Sequence, residues 1–458
     1  MSIGGIRTVL VANRGEIAVR IIRTCAELGI ATVAVYSEAD AESAAVRMAD
    51  RAYRIGPGPA KRSYLHIPAI VEAARATGAD AIHPGYGFLS ENPDFAEVCE
   101  AEGFVFIGAP AAVMADLGDK STARTLMSAA GLPLLPGSRE PLDSAEEANA
   151  LADEIGYPVI IKAVAGGGGR GMRVVRDSGD FAQAWRDTRA NASAVFGDGR
   201  LYVERYLDSA RHVEVQILAD HHGTVLHLGA RDCSLQRRHQ KLVEESPAPG
   251  LSDELLARIG ETAVRGAASV GYVGAGTFEF LLDPQGRFYF MEVNCRLQVE
   301  HPVTEMVTGI DLVAQQLRIA AGLPLDLPDD IAVPRGVAIE CRINAEDPAR
   351  EFAPAPGTLT ECVLPGGPFV RVDTHVESGY TIPPHYDSLL AKVIVWGEDR
   401  SAAITRMRRA LAETRIDGAG VATTARFLHD VLDHPRFVTA EHDTALIGAL
   451  TEPVSVGS

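Results

Sequence analysis

Two carboxylates and an amide, Glu279, Glu292 and Asn294, stand where the neighbouring residues belong in a core. Glu279 lies inside the apolar run 277–282, and Glu292 and Asn294 follow the apolar run 288–291. Ionised groups in such a setting are costly unless they are paired or bound to a metal. Between the runs, Asp283-Pro284-Gln285-Gly286 has Asp, Pro and Gly at the first, second and fourth positions of a type I turn, so the segment predicts a β-hairpin. Side chains alternate along a strand, which puts Glu292, Asn294, Arg296, Gln298 and Glu300 on one face for as long as the backbone stays extended. A turn centred between Pro284 and Gln285 brings Glu279 to that face, level with Phe290 and diagonal to Glu292. Oxygen ligands of this kind suit Mg²⁺ or Mn²⁺, ions that usually also ligate substrate phosphates.

Other stretches carry complementary chemistry. A strand over 158–163 bearing Lys162 leads into Gly166-Gly167-Gly168-Gly169-Arg170-Gly171 and then a strand over 172–175. This predicts a hairpin whose loop N–H groups can lie against phosphates and which can act as a lid. It is not a P-loop, since no Gly-Lys-Ser/Thr follows. The segment Glu204-Arg205-Tyr206-Leu207 reads as a connector whose backbone could bond an adenine. RDCSLQRRHQK, residues 231–241, is a dense cationic cluster in an acidic chain. Beside metal ligands it suits a small anion plus phosphate; alone it reads equally as a solvated basic face. Arg342, in the polar stretch 340–347, admits both a ligand-facing role and a structural ion pair. The loop 83–92 admits both a site border and a plain Gly/Pro turn. His221-His222 reads as a polar turn and Cys295 as a small filler residue.

The elements that must position these groups fall into three units. Strands over 6–12, 31–36, 79–83 and 104–107 alternate with helices over 17–28, 67–76 and 92–102, which predicts an open, mainly parallel α/β domain over residues 1–118. Its first βα turn, Asn13-Arg14-Gly15-Glu16, lacks GxGxxG and argues against dinucleotide binding. A second unit over 119–322 carries the hairpin and the glycine loop, with the lid at about 133–206. A Pro-rich linker precedes a smaller α+β unit over 335–446, with strands over 337–343, 357–364 and 392–397 and a helix over 402–413.

A chain of 458 residues exceeds one ordinary core. Acidic residues outnumber basic ones 61 to 43, which argues against a general polyanion-binding surface and hence against nucleic acid as a partner. There is no signal h-region and no run of about 18 apolar residues, so a cytoplasmic protein without a membrane partner is expected. The six cysteines form no CxxC pair, which argues against a zinc site or disulfide framework.

In order along the chain, VANRGEIAVRI, HPGYGFLSEN, GGGGRGMRVV, RDCSLQRRHQK, GTFEFL, NCRLQVEHPVTE and ECRINAEDP resemble the biotin carboxylase family, the ATP-grasp subunits of biotin-dependent carboxylases such as acetyl-CoA carboxylase. The resemblance spans nearly the whole chain. It implies an N-terminal α/β domain, an ATP-grasp fold with a glycine-rich lid subdomain, and a C-terminal α+β domain. It implies that ATP phosphorylates bicarbonate to carboxyphosphate and that the carboxyl group passes to N1 of biotin on a carrier protein. By the same resemblance Lys120, Lys162, Gly168, Gly169, Glu204, Arg205, Tyr206, Leu207, His212, Gln236 and His239 bind ATP, and Glu279, Glu292 and Asn294 hold two Mg²⁺ or Mn²⁺ ions. Lys241, Arg296, Gln298 and Val299 hold bicarbonate, Glu300 is its base, and Arg342 faces bicarbonate and biotin. The chain departs from the family's commonest pattern at Val164, Ala165, Arg205 and Cys295. It contains no Met-Lys-Met biotinylation sequence, so a separate biotin carboxyl carrier protein and a separate carboxyltransferase subunit are expected, as is a homodimer. Two other readings are an ATP-grasp ligase joining a carboxylate to an amine, which would not need Arg342 or RLQVEHP, and a non-catalytic scaffold, which would not need the metal ligands.

Overall fold

The computed structural model describes residues 3–165, 171–328 and 330–451. Among them, no helix is long and apolar enough to cross a membrane. The first layer is a parallel sheet in the order β3-β2-β1-β4-β5, made of β1 (Thr8–Val11), β2 (Ala31–Ser37), β3 (Arg51–Gly56), β4 (Ala81–His83) and β5 (Val105–Phe106). Val9, Leu10 and Val11 are all buried, as expected for a strand covered on both faces. The edge strand β3 was not anticipated, because only Ile55 of its six residues is buried and the sequence lacks an apolar run. Parallel strands deliver the loops after their C-terminal ends to one side, and here those loops are 12–16 after β1 and 84–92 after β4.

A small antiparallel sheet, β7-β6-β8, pairs β6 (Val159–Ala163) with β7 (Met172–Val175) and β8 (Leu201–Arg205). Helices Ala145–Ile155 and Ser178–Phe196 supply its core, in which Phe181 stacks on Trp185 at 6.1 Å. Lys162 opposes Met172 across the hairpin. The loop expectation for Gly168 and Gly169 falls outside the described residues.

The third layer is an eight-stranded sheet, β13-β12-β9-β10-β11-β14-β19-β18, antiparallel throughout. It comprises β9 (Arg211–Ala219), β10 (Val225–Arg237), β11 (Gln240–Ser246), β12 (Gly274–Leu282), β13 (Phe288–Asn294), β14 (Val337–Asn344), β18 (Val370–Thr374) and β19 (Leu389–Gly397). Two short pairs, β15 (Glu346–Asp347) with β16 (Ala353–Pro354) and β17 (Leu359–Val363) with β20 (Arg415–Gly418), flank it. The cationic cluster is therefore the end of one hairpin, β10–β11, in which residues 231–235 are buried and only 238–240 are exposed, and so is not simply a solvated basic face. Arg342 lies on β14, which is hydrogen-bonded to β11, with Val243 opposite Cys341 and Glu244 opposite Glu340, so it shares one sheet with Lys241.

The β12–β13 hairpin forms with the expected turn, in which Gly286 N–H donates to the Asp283 carbonyl at 3.0 Å and Gly286 takes φ 77°. Its register differs from the expectation. A bulge between Glu279 and Phe280 lets Phe280 face Phe290 while Glu279 faces Glu292 directly. The turn takes one residue more than expected, closing Asp283 on Arg287 and setting Leu282 opposite Phe288, and the bulge adds a second residue on β13; the two shifts together turn a diagonal pair of carboxylates into an opposed pair. The extended face also ends early: β13 stops at Asn294, and residues 295–300 are irregular, with Glu300 capping helix His301–Thr308.

Candidate active site

A cavity of about 840 Å³ opens where the three layers meet, bordered by the 12–16 and 84–92 loops, the small sheet, both hairpins and β14. Of the described site residues expected from the sequence, all but Glu204 line it; Glu204 is buried just behind.

Glu279 is the hub of the metal-type cluster. Its Oε1 accepts from Asn294 Nδ2 at 2.7 Å, Gln298 Nε2 at 3.0 Å and Lys241 Nζ at 3.1 Å, and its Oε2 lies 2.8 Å from His212 Nε2. Burial works against its ionisation, but Lys241 and His212 hold its carboxyl well below the ordinary glutamate range. Glu292, directly opposite, has no hydrogen-bond partner among the described residues, and burial together with the Glu279 charge pushes its carboxyl up. A second carboxylate facing an ionised one, with no donor of its own, fits a divalent cation seated between them. The residues present therefore fit the group that the sequence implied. Asn294 Oδ1 also accepts from Arg296 at 3.1 Å, which ties the carboxylate cluster to that guanidinium.

Lys241 stands 2.6 Å from Glu214 Oε2 and 2.5 Å from Glu300 Oε1 as well as touching Glu279. Sequence reasoning missed Glu214, whose carboxylate lies with ligand-type atoms of His212 and Glu279 within 4.8 Å of one another. It sits on β9 directly opposite Glu279, a cross-strand placement that no local motif announces. Arg231, also fully buried, holds Glu214 Oε1 at 2.6 Å.

Arg342 is clamped between Glu244 Oε1, 2.6 Å from its Nε, and Glu300 Oε2, 2.9 Å from its Nη2. Burial opposes the ionised form of Glu300, yet Lys241, Arg342 and Arg231 hold its carboxyl well below the usual range. Burial pushes Glu244 the other way, to about 7, with Arg342 opposing and Glu300 reinforcing the shift. The structural ion pair and the ligand-facing role weighed for Arg342 are compatible, because the guanidinium makes the pair at the cavity wall.

Arg296 is held by Glu91 from the loop after β4, Nε to Oε2 at 2.8 Å, and the other oxygen of Glu91 takes the Cys295 N–H at 2.9 Å. Arg296 Nη1 also donates to Gln298 Oε1 at 2.9 Å. Glu91 is a second residue the sequence did not single out, although it lies within the His83–Asn92 loop. That loop is a site border and not merely a turn, since Tyr86, Gly87 and Phe88 line the cavity too. Cys295 is buried and burial pushes its thiol up, in keeping with a filler role.

On the side of the small sheet, Lys162 Nζ is 2.5 Å from Glu204 Oε2, and Arg124 grips the other oxygen of Glu204. Burial, with the Lys120 and Arg124 charges close by, pushes Lys162 down to about 7. The N–H groups of Arg205 and Tyr206 donate to the carbonyls of Pro136 and Pro158, whereas that of Leu207, a residue that lines the cavity, has no partner among the described residues. Lys120 begins helix Lys120–Ala129. Gln236 Nε2 lies 3.4 Å from His212 Nδ1, and His239 occupies the β10–β11 turn at φ 66°.

A three-stranded lid sheet, a large antiparallel sheet and carboxylates flanked by lysines between them define an ATP-grasp fold. Family models match residues 5–114 (biotin carboxylase, N-terminal domain), 119–327 (carbamoyl-phosphate synthase L chain, ATP binding domain) and 340–449 (biotin carboxylase C-terminal domain). The chain is 52% identical over 439 residues to a biotin carboxylase of Nostoc sp., covering 96% of this chain and 98% of that protein. It is 56% identical over 411 residues to the biotin carboxylase of Haemophilus influenzae, covering 90% and 91%. A Campylobacter jejuni biotin carboxylase solved with a β,γ-ATP ligand superposes with a TM-score of 0.94 at 47% identity, covering 97% of this chain and 99% of that one. The biotin carboxylase domain dimer of a Hydrogenobacter thermophilus 2-oxoglutarate carboxylase, solved with MgADP, ADP and bicarbonate, gives 0.93 at 47% identity, covering 97% of each. The chain belongs to the biotin carboxylase family.

Proposed function

We propose that this protein carries out the ATP-dependent carboxylation of biotin with bicarbonate, through carboxyphosphate, on a carrier protein. The observation that carries the reading is the buried carboxylate Glu300 held between Lys241 and Arg342, in a cavity that Arg296 also lines, next to the opposed pair Glu279 and Glu292.

Bicarbonate is a weak nucleophile, so the site must fix it, take its proton and neutralise phosphate charge. Lys241, Arg296, Gln298 and Val299 would hold the anion. The cations that depress Glu300 also acidify a bicarbonate hydroxyl bound among them, so Glu300 stays ionised and able to receive the proton as oxygen attacks the γ-phosphorus. Lys120, Lys162, His212, Gln236 and His239 would bind the phosphates and ribose, with Gly168 and Gly169 closing over them. The backbone at Glu204–Leu207 would take the adenine, for which the unpartnered Leu207 N–H supplies a donor. Glu279, Glu292 and Asn294 would hold two Mg²⁺ or Mn²⁺ ions, which supply charge neutralisation at the transferring phosphoryl group. Arg342 would stabilise negative charge developing on the ureido oxygen of biotin as N1 loses its proton.

The division into 1–118, 119–322 with a lid at about 133–206, and 335–446 belongs to this reading, as do a homodimer, a separate carrier and carboxyltransferase, and action in the cytoplasm. The test is ADP release with MgATP. It should depend on bicarbonate, rise with free biotin and yield carboxybiotin; turnover indifferent to bicarbonate would overturn the reading.

A further inference from the structure

Lys392, on β19, is wholly buried and has no part in the reaction as described above. Its Nζ donates to the carbonyl of Val299 at 2.9 Å and lies 3.1 Å from Glu16 Oε1 and 3.8 Å from Asp373 Oδ2. Glu16 also accepts from the Tyr86 hydroxyl, in the loop after β4. One ammonium thus joins helix Gly15–Glu27, strand β18, strand β19 and the irregular segment 295–300.

A buried ammonium is costly unless paired. Burial works against its charge, but Glu16, Glu340 and Asp373 keep Lys392 protonated. Charge balance accounts for those carboxylates and leaves the contact with Val299 unexplained. That carbonyl belongs to a planar peptide whose other half is the N–H of Glu300. Holding its oxygen fixes the plane from which Glu300 departs, one residue before helix His301–Thr308, and so the direction in which its carboxylate meets Lys241 at 2.5 Å and Arg342 at 2.9 Å.

We infer that Lys392 is a positioning residue for bicarbonate activation, acting through the Val299–Glu300 peptide from the far side of the cavity wall. The inference rests on the proposed bicarbonate site. A displacement of about 1 Å at a reacting group can cost about 100-fold in rate, which sets the effect to look for.

The test compares Lys392→Met, Lys392→Arg and the double variant Glu16→Gln/Lys392→Met, measuring bicarbonate-dependent ADP release, KM for ATP and thermal midpoint. The double variant removes one buried charge of each sign, so its fold should be near wild type while its kcat stays about 100-fold down with KM for ATP unchanged. Lys392→Arg keeps the charge but moves the donors, and should recover part of the loss. A double variant with wild-type kcat would make Lys392 a charge partner only, and would overturn the inference. So would parallel loss of ATP binding, or a double variant that does not fold, since either makes the lysine a requirement of the fold. Failure of the wild type itself to show bicarbonate dependence would instead overturn the proposed function.

Discussion

Replacing Arg342 by Met separates the two half-reactions, and the surroundings of the residue set the size of the effect. The guanidinium bridges Glu244 at 2.6 Å and Glu300 at 2.9 Å. Two unit charges about 4 Å apart interact by about 4 kcal/mol at an effective dielectric constant of about 20, so its loss would strand two buried anions if both stayed charged. They need not. Glu244 already titrates at about 7 with the arginine present, and removing a cation raises a carboxyl further. At pH 7.5 its protonation therefore costs less than about 1 kcal/mol, and the variant folds. Glu300 keeps Lys241 at 2.5 Å and the field of Arg231, so it remains an ionised base. Bicarbonate-dependent ADP release should fall by no more than about 10-fold. Carboxybiotin formation should fall by about 100- to 1,000-fold, the usual effect of removing one donor from a developing oxyanion. Glu300→Gln should depress both. ADP release with and without free biotin, together with carboxybiotin, measures the split. Equal loss of both activities in Arg342→Met would withdraw the assignment to biotin and leave the arginine as a bicarbonate or cleft-forming residue.

Further outcomes follow from neighbouring contacts. Glu292→Gln should abolish ATP turnover and leave the thermal midpoint unchanged or slightly raised, because it removes a carboxylate held against Glu279; retained turnover at ordinary Mg²⁺ would refute the hairpin as the metal site. Glu91→Gln weakens the hold on Arg296 and should raise KM for bicarbonate about 10- to 100-fold without moving KM for ATP, so parallel shifts in both would count against it. His375 is buried, its Nδ1 has no hydrogen-bond partner among the described residues, and burial lowers it from 6.5 to about 3. Between those values the unfolded chain binds the extra proton and the folded one does not, so stability is lost as pH falls, by about 1.4 kcal/mol per unit. His375→Phe should remove that share of the acid sensitivity, read as the wild-type-minus-variant difference in denaturant midpoint from pH 6.5 to 4; no difference would place the histidine in a protonated state.

Local chemistry carried much of this protein's architecture. The Asp-Pro-Gln-Gly turn, the charges within the apolar runs of β12 and β13, and the glycine run between two strand-like segments are readable because turn preference and burial cost act over a few residues. Signals of the same short range bound the helix Ala145–Ile155: Ser144 caps it, accepting from Glu147 N–H, and Gly156 ends it. The metal-type carboxylates, the cationic hairpin and Arg342 were named from sequence, and the cavity brings them together.

Tertiary structure decided the relations between segments. The bulge that completes the opposition of Glu279 and Glu292 falls where β12 pairs with β9 and β13 at once, beyond the reach of the turn residues. Glu214, Glu244 and Lys392 look like ordinary strand residues in the sequence, because what makes each one matter lies 27 to 98 positions away. Glu214 meets Lys241, Glu244 meets Arg342, and Lys392 meets Val299 only after the strands have been ordered into one sheet. Residue type and short spacing reveal which groups can do chemistry, whereas the strength of a buried charge depends on the partners that long-range packing places within about 3 Å of it.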